Sequence, residues 1–101
     1  MIKRIVRLSF QPEKVQEFLQ IFESSKQLIS NFEGCLALSL YQDYEKKNVF
    51  YTESIWKSIE HLENYRNSEL FQSTWLKTKF LFNEKPQAFS LEYFETIKPM
   101  K

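Results

Sequence analysis

From Asn48 to Phe82 the chain reads NVFYTESIWKSIEHLENYRNSELFQSTWLKTKFLF, an extended run that passes directly into two helix patterns dense in aromatics. Val49 to Trp56 is rich in β-branched and aromatic residues and reads as a strand. Ser58 then supplies an N-cap hydroxyl, although His61 rather than Glu stands at N3, so the capping box is incomplete. Ile59, Leu62 and Tyr65 continue at helical spacing. Ser68 restarts a helix in which Phe71, Trp75, Thr78 and Phe82 fall on one line.

The rest of the chain supplies the partners of this unit. Residues 2–10 alternate, with Ile2, Arg4, Val6, Leu8 and Phe10 on one face and Lys3, Ile5, Arg7 and Ser9 on the other. Pro12 opens a helix, since its missing N–H costs nothing at the first helical position. Val15, Phe18, Leu19, Phe22, Ile29 and Phe32 form its apolar stripe, and Gly34 ends it. Leu36, Leu38 and Leu40 alternate in a second strand, and Asp43 to Asn48 is the polar turn of a hairpin. Asn83 to Pro86 breaks the last helix before a final strand from Ala88 to Glu95. The order is βαββαβ with a divided second helix. This predicts an α+β, ferredoxin-like domain over residues 1–101 with an antiparallel four-stranded sheet.

Helices can cover only one face of such a sheet, yet apolar residues point both ways. Ile5 opposes Val6, Ile55 opposes Trp56, and Tyr93 opposes Phe94. An uncovered apolar face usually marks an interface. Two sheets packed face to face would bury it, so a homodimer is expected.

Composition narrows the function. Fourteen Lys and Arg against thirteen Asp and Glu, with the signs interspersed, argue against a nucleic-acid partner. The single glycine leaves no Gly-rich phosphate loop. One histidine and one cysteine cannot build a metal cluster, and Cys35 alone cannot form an internal disulfide. Cys35 is expected to be a small buried residue. The N-terminal run lacks signal-peptide character and no stretch could span a membrane, so no membrane association and a cytoplasmic location are expected.

Four residues could carry chemistry. His61 has a side chain that titrates near neutrality and could act as a base, or it could face solvent beside Glu60 and Glu63. Glu53, on a central strand, could be a desolvated general base, or it could pair with Arg4 or Arg7 or sit at a dimer seam. Tyr65 could hydrogen-bond a phenolic ligand or be a helix-face aromatic with its hydroxyl at the rim. Trp75 could donate its indole N–H. With Phe71 and Phe82 it could wall a flat apolar pocket, or the stripe could simply be core.

The order strand, Glu53-x-x-Trp56, helix, Ser68-Glu69-Leu70-Phe71, helix resembles the antibiotic biosynthesis monooxygenase (ABM) family. The resemblance implies a dimeric α/β barrel and a cofactor-independent monooxygenase. Such an enzyme would deprotonate a small phenolic or quinol-like substrate, whose anion reduces O₂ directly. Many members carry a histidine nine residues after the strand tryptophan, where this chain has Tyr65. The segment WKSIEHLENYRNSELFQSTW is also similar to the haem-degrading branch. The residues corresponding to that branch's tryptophan, iron-binding histidine and asparagine are Tyr65, Trp75 and Val6, so the iron ligand is missing. The alternative is a non-catalytic dimeric domain that binds a small apolar ligand or serves a stress-related role.

Overall fold

The computed structural model describes residues 1–100. The elements run β1 (Ile2–Ser9), α1 (Val15–Ser30), β2 (Cys35–Gln42), β3 (Val49–Trp56), α2 (Ile59–Arg66), α3 (Glu69–Thr78) and β4 (Gln87–Glu92). A single 3₁₀ turn, Pro12–Lys14, leads into α1, and another, Lys79–Leu81, follows α3. The sheet order is β2-β3-β1-β4 with every pair antiparallel, a ferredoxin-like α+β fold.

Local chemistry explains the boundaries. Pro12 occupies the first position of its turn as expected. The chain leaves α1 at Ser30 and turns through Gly34, whose φ of 89° is the left-handed conformation that glycine adopts without a Cβ penalty. The second helix divides between Arg66 and Glu69. Ser58 and Ser68 cap the two pieces by accepting the backbone N–H of His61 and Phe71, respectively. The Ser68 hydroxyl also donates to the Tyr65 carbonyl at 2.6 Å, tying the end of α2 to the start of α3.

Register sorts the strands into two faces. Arg4 pairs with Ser54, Val6 with Thr52, Leu8 with Phe50 and Ile2 with Trp56, all directed toward the helices. Phe10, Phe18, Phe50, Leu8 and Leu81 form the main core, where the Phe10 and Phe18 rings stack at 4.2 Å. Helix α1 packs on β2 and α3, and α2 lies over β3.

The other face carries Lys3, Ile5 and Arg7 beside Ile55, Glu53 and Tyr51 on β3 and Leu91, Phe89 and Gln87 on β4. Among the described residues no element covers this face, and Phe89 is 52% exposed. Register settles the directions of Ile55 and Trp56, which the sequence left open, and one expectation, that Phe94 lies on the last strand, needs correction. Trp56 does not face outward: it is fully buried beneath the helices, and its Nε1 donates to Ser54 Oγ at 2.9 Å. Phe94 is not on a strand, because β4 ends at Glu92, the partner of Ile2, where its ladder with β1 stops. Tyr93, Phe94 and Ile97 follow as an exposed tail outside the strands.

Candidate functional site

A cavity of about 350 Å³ lies between the helices and the inner face of the sheet. Its size is within the range of small-molecule sites. The floor is Arg4, Val6 and Leu8 of β1 with Thr52 and Ser54 of β3, and α1 closes one side with Phe18, Phe22 and Ile29. Tyr65 and Arg66 enter from the end of α2, and Phe71, Thr74 and Trp75 from α3. Ala88 of the exposed edge strand β4 also borders it, so the cavity meets solvent on that side.

The α2–α3 break explains why Tyr65 and Trp75 share this space. A continuous helix would spread residues ten apart along about 15 Å of axis. The Ser68 cap instead folds α3 back, and the rings form a continuous wall. Trp56 stacks on Tyr65 at 5.0 Å, Tyr65 meets Phe71 edge-on at 5.3 Å, and Phe71 stacks on Trp75 at 5.9 Å. Such pairs add about 0.5–1.5 kcal/mol each beyond area burial. The wall is therefore held in place before any ligand arrives.

Desolvation by this wall pushes the Tyr65 phenol up to about 12. The nearby Cys35, once ionised to the thiolate, adds a smaller push in the same direction. Tyr65 thus stays protonated through the neutral range, and its O–H is a donor rather than a base.

The other expected site residues lie elsewhere. Phe82 packs on Phe10 at 5.2 Å and on Trp75 at 5.6 Å, so it backs the wall without lining the cavity. Glu53 points to the uncovered sheet face, because alternation on β3 sends it opposite to Thr52 and Ser54. Its partner is Lys3 at 3.5 Å rather than Arg4 or Arg7. Arg4 lies on the inner face, where its Nη1 donates to Ser90 Oγ at 2.8 Å, and Arg7 pairs with Glu84 at 3.0 Å. His61 sits outside the cavity, with Nδ1 2.7 Å from Ser58 Oγ and its ring against Gly34. Among the described residues no carboxylate or histidine lines the cavity.

Two cations that composition had not singled out do line it, Arg4 and Arg66. The signal was present in the sequence: Arg4 interrupts an apolar strand face between Ile2 and Val6. Burial lowers the Arg4 pKa first, the Arg66 charge lowers it further, and Glu63 offsets this in part. Cys35 is a partly buried free thiol. Among the described residues no group of His, Cys, Asp and Glu could hold a metal ion, and no helix is long and apolar enough to cross a membrane.

The same fold recurs in solved structures. An antibiotic biosynthesis monooxygenase superposes with a TM-score of 0.88 at 17% identity, over 94% of this chain and 100% of that one. A conserved protein from Methanosarcina mazei Go1 gives 0.85 at 22% identity, over 89% of each chain. A protein from Pseudomonas aeruginosa gives 0.82 at 19% identity, over 93% of this chain and 94% of that one. These similarities establish the fold. No functionally curated protein matches the sequence. Residues 1–74, from the first strand to the wall of the cavity, match the family model for antibiotic biosynthesis monooxygenase, and the chain belongs to that family.

Proposed function

We propose that the protein is a cofactor-independent monooxygenase that oxidises a small phenolic or quinol-like substrate in the cavity between helices and sheet. The observation that carries this reading is the convergence of Tyr65 and Trp75, two aromatics with polar tips, on one largely apolar cavity. The rings of Phe71 and Trp75 offer a flat surface for an aromatic ligand. Tyr65 O–H and Trp75 N–H supply donors for a phenolate oxygen, whose charge such donors stabilise most strongly in a water-poor site. A phenol with a free para position loses its O–H proton, and the anion passes an electron to O₂. The resulting pair collapses to a hydroperoxide on the ring carbon. Loss of water then leaves a quinone: one phenol and one O₂ give one quinone and one water, with the substrate supplying all four electrons.

With no base in the lining, the proton leaves directly to solvent. The cavity acts by lowering the substrate's pKa, and Glu53 and His61 are left out of the chemistry. Oxygen uptake by metal-free protein over a panel of phenols and naphthols with a free para position tests this. Turnover that scales with the fraction of phenolate supports it, and no uptake above buffer with any member overturns it.

The rival is a non-catalytic ligand-binding domain of the same fold, favoured by the tyrosine that replaces the histidine common in the family. Quinol binding without oxygen uptake would select it.

We further propose that residues 1–101 act as one domain and that two copies assemble through the uncovered sheet face. The support is the mixture on that face: Ile5, Ile55, Phe89 and Leu91 around the Lys3–Glu53 pair. A second copy offers the same face in return, which suits a twofold interface.

A further inference from the structure

The cavity lining is electrically one-sided. Its charged side chains are Arg4 and Arg66, with no carboxylate among the lining residues. Arg4 stands on the inner face of β1, and its side chain donates to the neutral hydroxyl of Ser90. Arg66 ends α2 next to Tyr65, on the exposed side, and its carboxylate partner, Glu63, is 3.5 Å away and lies outside the lining. Neither guanidinium is therefore neutralised from within the cavity. Arg4 is half-buried with only a neutral side-chain partner, and a bound anion offsets the cost of partly desolvating such a cation; Arg66 is exposed and can turn from Glu63 to the same anion. Arginine's planar fork suits a carboxylate because it can donate two parallel hydrogen bonds. The aromatic wall and the two arginines border the same space, so one ligand can satisfy both.

We propose that the ligand is an aromatic carboxylic acid, with its ring against Phe71 and Trp75 and its carboxylate held by Arg4 and Arg66. This rests on the cavity being the substrate site, and it narrows the substrate class to phenols or quinols that carry an acid group. The carboxylate anchors one end of the molecule and fixes which ring edge faces Tyr65. It is not consumed in the reaction.

Calorimetric titration with 2-naphthoate and with neutral 2-naphthalenemethanol tests the proposal. The acid should bind about tenfold or more tightly than the alcohol, the ordinary scale of hydrogen bonds to a charged group. Raising the salt concentration should shrink the difference. Arg4→Gln and Arg66→Gln should each remove most of the preference, read as the ratio of acid to alcohol affinity within each variant. Arg66 is exposed, so its variant reports even if Arg4→Gln fails to fold. Equal binding of both probes by the wild type would overturn the anion site while leaving the aromatic cavity intact. Binding of neither probe would overturn the cavity reading and this proposal with it.

Discussion

Tyr65 has a structural role and, in the proposed reaction, a chemical one, and a single substitution separates them. Tyr65→Phe keeps the stack on Trp56 and the edge contact with Phe71 but deletes the hydroxyl. Folding stability should change by about 1 kcal/mol or less. Turnover of a quinol substrate should fall tenfold or more if the hydroxyl stabilises the developing phenolate. Steady-state kinetics beside urea denaturation gives both numbers, and equal turnover in the variant would remove Tyr65 from the mechanism. The raised phenol pKa gives a second readout. In the unfolded chain tyrosine ionises near its ordinary value of 10, whereas in the fold Tyr65 holds its proton to about 12. Above pH 10 the unfolded state therefore binds fewer protons than the native state. The stabilising contribution is whole below that pH and is lost as pH rises toward 12, at up to about 1.4 kcal/mol per pH unit. Comparing wild type with Tyr65→Phe cancels the other titrating groups, and the variant should show the shallower alkaline decline.

Among the elements, the two helix joints control the site. Gly34 has a positive φ, and a Cβ there would overlap the His61 side chain. Gly34→Ala should cost about 1–2 kcal/mol from backbone conformation alone, plus whatever is needed to displace His61. A thermal melt indistinguishable from wild type would show that the α1–β2 turn rearranges freely. The environment of His61 also places it as a partner of Ser58 and a cover for Gly34. At the second joint, Ser68→Ala removes the cap of α3 and the bond to the Tyr65 carbonyl. Loss of such a cap typically costs about 1 kcal/mol. Because the joint sets the angle between Tyr65 and the Phe71–Trp75 pair, ligand affinity should weaken as well. Chemical denaturation and calorimetry on the same variant would show whether the two losses occur together.

For the whole molecule, the question is what covers the outer sheet face. Phe89 and Ile55 project from it, and Phe94 in the tail beyond β4 is 94% exposed. A charge at Phe89 or Ile55 would be stranded without a partner in a dimer interface, at a cost of several kcal/mol. Phe89→Lys and Ile55→Glu should therefore give monomers, or insoluble protein, by light scattering. Trp56 is unsuited to this test because it belongs to the core of one chain. A wild-type protein that scatters as a single 12.3 kDa species would end the two-sheet proposal.

Strand and helix patterns, the divided second helix and the aromatic line were legible in the sequence, because hydrophobic periodicity and capping residues act over a few neighbouring positions. The hairpin between β2 and β3 and the role of Gly34 as a turn came from the same local chemistry. What the sequence could not assign was direction and partnership. Glu53 and Thr52 are neighbours in the chain, yet pleating puts one on the bare face and the other in the cavity. Whether Glu53 met Lys3, Arg4 or Arg7 depended on strand register, which arises from contacts about fifty residues apart in the chain. The final strand stopped short of Glu95 because its ladder with β1 ends at the Ile2–Glu92 pair, a limit set by another element. Arg4 and Arg66 are 62 positions apart, and only the packing of α2 across the sheet brings their charges to one volume. Local sequence therefore determined the elements, and tertiary packing decided which side chains share a site.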